Sequence, residues 1–540
     1  MKLNLPSKTL SGNTLILLVS LVIVAGGNLT FFSNVLKTYS LGGMGIVYFG
    51  SLAIVLTAIT ALLFSLVCFG RLTKPILVVF LLLSSLAAYF MDSYGVVINE
   101  EMLRNAIETN AAESFDLLTG KLVLYFVLLG VLPAFVVSRF RLKPRGFGAA
   151  FRARAIFVVV LVGVIGALIA ASGPFYASFL REHKSLRSYA NPTYFTYSSV
   201  RLVQGASAAT GGTQTVAVLG EDARIPETDQ DRELIFLVVG ETARADHFSL
   251  NGYERDTNPR LREAKAVSFP NVWSCGTSTA VSVPCMFSMG GMDKFDVKTA
   301  GLKENLLDVL RHAGVNVLWL ENNSDSKGVA IRSDYRNFKS RDLNPVCDEE
   351  CRDEGMLVGL QDYIDSHPKG DIVVVMHQMG NHGPAYFKRY PPAFEKFTPA
   401  CKSNDLSQCS NEEIRNAYDN AILYTDHFLG KAIDVLKHND DKFETALLYL
   451  SDHGESLGEN GIYLHGLPRA VAPEAQIHIP AVMWTGKGFA HEIDEQGLQK
   501  KRLERFTHDS VPHTVLGLME IQTKVYRPEL DILKGLRKHE

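Results

Sequence analysis

The chain has 540 residues, with 54 lysines and arginines against 57 aspartates and glutamates and a net charge of −3. That balance excludes a broadly cationic surface, so no nucleic-acid partner is expected. The overall 47% hydrophobic content hides two unlike parts, since long apolar blocks dominate up to about Tyr176, whereas from Asp229 onward charged helical patterns alternate with short apolar runs.

From the N-terminus, five apolar blocks are each long enough to cross a bilayer core, which takes about 17–25 helical residues. They begin at Asn13, Ile46, Pro75, Leu122 and Ala155. A signal peptide is the alternative for the first, but it lacks a small-residue cleavage site and four more spans follow, so it reads as a retained anchor. Lys2 and Lys8 precede the first block, Arg71 and Lys74 follow the second, and Arg139, Arg141, Lys143, Arg145, Arg152 and Arg154 lie between the fourth and fifth. All three sets fall on one side of a five-span topology, the side that positive charge makes cytoplasmic. A cytoplasmic N-terminus, an outward loop helix near residues 99–118 and an outward C-terminal half are therefore predicted. The boundaries are a transmembrane domain over 1–180, a bridging segment over 181–233 that contains "GASAATGGTQT", and a second domain over 234–540.

In that second domain "LIFLVV", "NVLWL", "DIVVVM", "TALLYL" and "PAVMW" read as buried strands. "IRNAYDNAILYTDHFLGKAIDVL" places Ile414, Ala417, Tyr418, Ala421, Phe428, Leu429, Ala432 and Leu436 on one helix face. Alternating strands and helices predict an α/β sandwich around a mostly parallel sheet, whose ligands gather at the carboxyl ends of the strands. One strand end supplies Glu241, a second His377 and His382, and a third Asp452 and His453 with His465 beyond them. Singly, each has an ordinary reading as a helix cap or a hydrogen-bonded structural group. Together they predict a metal site. Oxygen from Glu241 and Asp452 with nitrogen from His453 suits zinc, which takes three protein ligands in a catalytic site and leaves a fourth position open, while manganese tolerates the set less selectively. "SCGTSTAVSVPCMFS", residues 274–288, offers several hydroxyls for that position, and a metal-bound hydroxyl loses its proton near neutral pH. The pattern alone leaves open which hydroxyl it is.

Cys275, Cys285, Cys347, Cys351, Cys401 and Cys409 all lie in the outward half and form three close pairs. Unrelated thiols and zinc ligands are the alternatives. The even number, the pairing and the outward location favour disulfides between near neighbours: Cys275–Cys285, Cys347–Cys351 and Cys401–Cys409.

The strings "GETARADHFSLNGYERDTNP", "CGTSTAVSVPCMFS", "NNSDSKGV", "HQMGNHGPAYFKRY" and "SDHGESLGENGIYLHG" resemble the lipid phosphoethanolamine transferases of the alkaline phosphatase superfamily, the branch that includes EptA and the mobile colistin resistance enzymes. The resemblance extends to the five spans and the outward "MLRNAIETNAAES" helix. It implies that Thr279 is the nucleophile and that Glu241, Asp452 and His453 complete a zinc site with it. It further implies that His382 and His465 bind a second zinc or steady the phosphoryl group, that Ser324 and Lys327 line the phosphate region, and that Asn105, Thr109 and Glu113 contact lipid substrate. His377 receives no role. A bridge between Cys275 and Cys285 would hold Thr279 at a helix start, where free N–H groups meet phosphate oxygens.

The implied reaction moves phosphoethanolamine from phosphatidylethanolamine to a phosphate of lipid A in lipopolysaccharide, through a phosphoethanolamine-threonine intermediate. This lowers surface negative charge and confers polymyxin and colistin resistance. A monomer embedded in the bacterial inner membrane, with a periplasmic catalytic domain, is expected. Transfer to Kdo or heptose of the core is the alternative acceptor reading, and a phosphatase or sulfatase on the same fold is the alternative chemistry. "SVPCM" places Met286 where a sulfatase motif carries Arg. Lipoteichoic acid synthases resemble these strings far less, and a binding domain with a structural metal would not need a hydroxyl at an open coordination position.

Overall fold

The structure, a computed structural model, describes residues 9–39, 42, 44–108, 115–181, 183–210 and 216–538. It contains two compact units, Met1–Leu103 with Leu118–Gln204, and Arg104–Leu117 with Gly205–Glu540.

The first unit is helical. Its elements include α1 (Gly12–Gly26), α2 (Leu29–Thr38), α3 (Gly45–Val67), α4 (Thr73–Tyr94), α5 (Glu100–Glu108, which continues into the second unit), α6 (Gly120–Arg139), α7 (Phe147–Ala171) and α8 (Thr193–Thr210). Among the described residues four helices are long and apolar enough to cross a membrane, and the pair α1 and α2, bent by 60°, brings the total to as many as five. The first apolar block, read above as one span, is therefore broken. Its break has a polar cause, because the Asn28 amide donates to the Asn191 carbonyl at 2.8 Å, and the Asn191 N–H returns a 2.8 Å bond to Asn28 Oδ1. A second bond from the Asn191 amide to the Gly27 carbonyl occupies a group that a continuous helix would use itself. The last span begins at Phe147 rather than Ala155, so Arg152 and Arg154 lie on its first turns. α7 exposes Val159, Val160 and Val162, as a helix against hydrocarbon does.

The bridging segment expected over 181–233 is helical along α8, which runs into "GASAAT". Three alanines in that stretch offset its single glycine, and alanine has the highest helix propensity. Residues 104–117, placed above with the transmembrane domain, group with the second unit.

The second unit is built on an eight-stranded sheet. Its strands are β1 (Glu233–Gly240), β2 (Val267–Trp273), β3 (Asn316–Glu321), β4 (Asp334–Asn337), β5 (Ile372–His377), β6 (Glu444–Ser451), β7 (His478–Thr485) and β8 (Phe506–Thr507). Their order is β8-β2-β7-β6-β1-β5-β3-β4. β7 runs antiparallel to β6 and β2, and every other neighbouring pair is parallel. This is the mostly parallel α/β sandwich that the strand and helix pattern predicts. All five strands read from the sequence are present. β2, β4 and β8 were not anticipated: β2 carries Pro270, β4 is exposed along its whole length, and β8 has two residues, so none presents the unbroken apolar run of a buried parallel strand.

Every residue of β1 and β5 is buried. Ile235, Leu237 and Val239 share one core with Val373, Val375, Leu448 and Leu450, each aliphatic side chain contributing about 1.5–3 kcal/mol on burial. The long helix α11 (Asn411–Asn439) opens with a capping box between Ser410 and Glu413 and buries the whole predicted apolar face, satisfying donors that a helix start would otherwise orphan. Two shorter helices, α9 (Thr279–Met286) and α10 (Leu306–His312), bury Val283 and Leu307 in the same core as β1.

Candidate active site

Strand register brings the metal-ligand candidates together. Gly240 of β1 lies opposite Ser451 of β6, so the next residues, Glu241 and Asp452, leave adjacent strands side by side. Gly240 itself must be glycine here, since a Cβ would sit 2.5 Å from the Tyr449 ring. Glu241, Asp452 and His453 are buried, and each offers a ligand atom within 4.8 Å of the others. His453 Nε2 is 3.4 Å from Glu241 Oε1 and 3.3 Å from Asp452 Oδ2.

The other nitrogen of that ring, Nδ1, lies 2.9 Å from the Gly454 carbonyl. A carbonyl only accepts, so Nδ1 carries the hydrogen and the Nε2 lone pair faces the carboxylates, the tautomer a metal ligand needs. Burial, with His465 close by, pushes the His453 pKa well below its ordinary value, which keeps the imidazole neutral. Burial also pushes the Asp452 carboxyl up to about 6, and its Oδ2 accepts no hydrogen bond among the described residues. Two carboxylates converging in a dry site are costly unless a cation compensates them. One imidazole nitrogen with carboxylate oxygens fits a zinc ion, and the fit leaves a fourth position open.

Thr279 faces that position. It is the first residue of α9, and its hydroxyl donates to Glu241 Oε2 at 3.1 Å and lies 3.4 Å from His453 Nε2. The disulfide Cys275–Cys285 closes the loop around it, and Cys347–Cys351 and Cys401–Cys409 are also bonded, leaving Cys68 as the free thiol. The Ser282 hydroxyl accepts the Gly276 N–H at 3.1 Å, which braces the same loop, whereas Ser278 Oγ has no hydrogen-bond partner among the described residues.

His465 and His382 stand beside the centre but outside the ligand group. The His465 ring is 4.3 Å from that of His453 and 5.5 Å from that of His382, centroid to centroid. Glu455 holds His465 through Nδ1 at 2.7 Å. Burial, then the nearby His465 and Arg389, drives the His382 pKa well below its ordinary value. His377 pairs with Glu321 at 3.0 Å, both side chains fully buried, so it braces the ends of β3 and β5 rather than joining the ligand group.

Ser324 and Lys327 lie on the loop after β3 and line a cavity of about 350 Å³ with Arg104, Ala280 and Pro284. Asn105 follows Arg104 on α5. Thr109 and Glu113 lie outside the described residues. Among the described residues, four of the seven non-glycine residues with left-handed backbone, Thr242, Asp325, Lys327 and Leu464, adjoin or belong to the site set, where strained conformations are held by the surrounding structure.

Sequence reasoning passed over three residues. Asn323 donates to Glu241 Oε2 and to the Gln378 carbonyl, both at 2.7 Å, and so orients a candidate ligand. Asp353 accepts from the N–H groups of Met379 and Gly380 and fixes the loop between His377 and His382. Arg389 donates to the His382 carbonyl at 2.6 Å and pairs with Asp116 at 3.0 Å, tying residues 104–117 to that loop. Asn323, inside "NNSDSKG", and Arg389, inside "HQMGNHGPAYFKRY", carried a sequence signal, and Asp353 did not.

The chain has clear relatives. Residues 233–521 match the sulfatase family model, and residues 56–206 match the model of phosphoethanolamine transferase EptA/EptB. Over 533 residues the chain is 40% identical to phosphatidylethanolamine transferase Mcr-1 of Escherichia coli, covering 95% of this chain and 96% of that one. It is 39% identical over 529 residues to phosphoethanolamine transferase EptA of Escherichia coli (strain K12), covering 95% and 94%. Among solved structures, the integral membrane protein lipooligosaccharide phosphoethanolamine transferase A (EptA) from Neisseria meningitidis matches with a TM-score of 0.94 and 36% identity, over 98% of this chain and 100% of that one.

Proposed function

The chain belongs to the EptA/EptB family of phosphoethanolamine transferases, and from that premise we propose that it moves phosphoethanolamine from phosphatidylethanolamine to a phosphate of lipid A, with Thr279 as the covalent carrier. The observation that carries this reading is the position of the Thr279 hydroxyl, 3.1 Å from Glu241 and 3.4 Å from His453, at the start of a helix. In the first half-reaction Thr279 Oγ attacks the donor phosphorus, the bond from phosphorus to the diacylglycerol oxygen breaks, and diacylglycerol leaves with a proton. In the second, an acceptor phosphate oxygen attacks the same phosphorus and Thr279 recovers its hydroxyl. Two easier displacements replace one difficult one.

A zinc ion held by Glu241, Asp452 and His453 supplies Lewis acidity that eases deprotonation of a hydroxyl and offsets phosphoryl charge. Glu241, fixed by Asn323, aligns the Thr279 hydroxyl. Free N–H groups in the first turn of α9 face the phosphoryl oxygens, and His382, His465, Ser324 and Lys327 flank them. Asn105, with Thr109 and Glu113, takes the lipid. The enzyme works as a monomer in the bacterial inner membrane, its N-terminus cytoplasmic and its catalytic unit periplasmic, and the added amine weakens attraction for cationic polymyxins such as colistin.

The test is incubation of the purified full chain with phosphatidylethanolamine and no acceptor, followed by peptide mass spectrometry. A phosphoethanolamine adduct on Thr279, in the fragment spanning Cys275 to Cys285, is expected. An adduct on another residue removes Thr279 from the role, and no adduct with undiminished transfer removes the two-step course.

A further inference from the structure

A trough begins at Ala280, the residue after Thr279, and extends away from it. The cavity beside Ala280 shares Pro284, Ala300, Gly301, Lys327 and Gly328 with a larger one of about 430 Å³. Ala280 and Pro284, four residues apart on α9, form one face of that helix, and Ser288 beyond its end continues the wall. Eight residues of helix rise about 12 Å, so the trough reaches well past a phosphoryl group seated at Thr279.

The far part of the trough is cationic. Lys294, Lys303, Lys524 and Arg527 line it with Lys327, against Asp296 and Glu304. Both acids already accept from the protein: Glu304 takes the Leu219 N–H and pairs with His312, and Asp296 takes the Lys298 N–H. Lys294, Lys303 and Lys524 are exposed, and their ammonium groups have no ion-pair partner among the described residues. Arg527 is held by the Met289 carbonyl. Unpaired cations along a concave wall concentrate anions from solution.

Resting on the transferase reading, we infer that this trough is the acceptor subsite, binding a second anionic group of a glycolipid headgroup whose first phosphate lies at Thr279. Such a ligand carries two negative groups held apart by its sugar, and the trough offers cations at both ends with the small residues Ala300, Gly301 and Gly328 and Pro284 between them. The zwitterionic donor has no second anion to place there. Acceptor recognition thus resides in Lys294, Lys303 and Lys524, and donor recognition does not use them.

The triple variant Lys294→Ala, Lys303→Ala, Lys524→Ala tests this, since removing exposed unpaired cations leaves the fold intact. Two readouts use the full chain in detergent: formation of the Thr279 adduct from phosphatidylethanolamine alone, and transfer to a bis-phosphorylated or a mono-phosphorylated glycolipid. Unchanged adduct formation is expected, with the KM for the bis-phosphorylated acceptor raised by about tenfold and that for the mono-phosphorylated one unchanged. Raised ionic strength should weaken the wild type more than the variant. An unchanged KM for the bis-phosphorylated acceptor overturns the subsite, as does an equal loss with both acceptors or a loss of adduct formation. Absence of the adduct from the wild type instead brings down the transferase reading itself, a result distinct from either.

Discussion

Thr279 is nearly buried, with 7% of its surface exposed, yet its hydroxyl is the one hydroxyl of its loop bonded to a candidate ligand. Ser278 and Ser282, its neighbours in the sequence, point elsewhere. Thr279→Ala is expected to abolish transfer while leaving the chain folded, because it deletes a small group and opens no large cavity. Thr279→Ser keeps the oxygen and is expected to retain part of the activity. Ser282→Ala loses its bond to the Gly276 N–H, at a cost of about 0.5–1.5 kcal/mol, and Ser278→Ala costs less because no bond is lost. Transfer assays and thermal unfolding of the four variants check the order. Full activity in Thr279→Ala would sink the assignment. At this scale the sequence was informative about residue type and silent about aim: the strand ends named Glu241, Asp452 and His453, but the hydroxyl that meets them is chosen by the rotation of α9, which no local pattern encodes.

Between elements, the turn Asp353–Leu357 joins the loop between His377 and His382 to α11. Asp353 holds the Met379 and Gly380 N–H groups, while Glu354 accepts from Tyr424 at 3.0 Å and Lys431 at 2.6 Å and lies 3.3 Å from His427. The His427 hydrogen bond first, and then Lys431, hold the Glu354 carboxyl at about 2 against an ordinary 4.5. A carboxylate depressed on folding adds stability that is present above its unfolded pKa and lost as pH falls through its folded one, here a contribution of about 1–2 kcal/mol after allowance for partial exposure. Glu354→Gln is expected to lower the Tm at neutral pH, and its gap from the wild type should close as pH falls from about 5 to about 2. A gap that is constant with pH would show that the Glu354 charge contributes nothing. Arg389 is the second joint of this kind, buried between the His382 carbonyl and Asp116. Neither joint was legible in the sequence, since the partners lie far apart along the chain and share no period.

For the whole molecule, the charge of the short loops predicts that the C-terminal unit lies outside the cytoplasm, and thiol labelling tests that orientation. Six cysteines are bonded and Cys68 is buried, so a cysteine introduced at the surface can be read against a quiet background. Glu221→Cys is expected to react with a membrane-impermeant thiol reagent in spheroplasts, and Gly146→Cys is expected to remain unlabelled. The reverse pattern would overturn the orientation.

The sequence by itself determined the class of the protein, the apolar blocks, five of the eight sheet strands, the three disulfides and the strand-end positions of Glu241, Asp452 and His453. Each of these is written in short-range features: a run of apolar residues, a period, a near-neighbour cysteine pair, or a polar residue just past a strand. The tertiary structure alone decided the bend between α1 and α2, which Asn191 imposes from across the unit, and the helix α8 inside an apparent linker. It also decided the Asn323 bond to Glu241 and the cationic trough along α9. Lys294 and Lys524, like Asn28 and Asn191, are unremarkable where they stand in the chain. Their roles arise from packing that brings distant segments together, and it is the hydrophobic burial of the strands and helices beneath them that sets that packing.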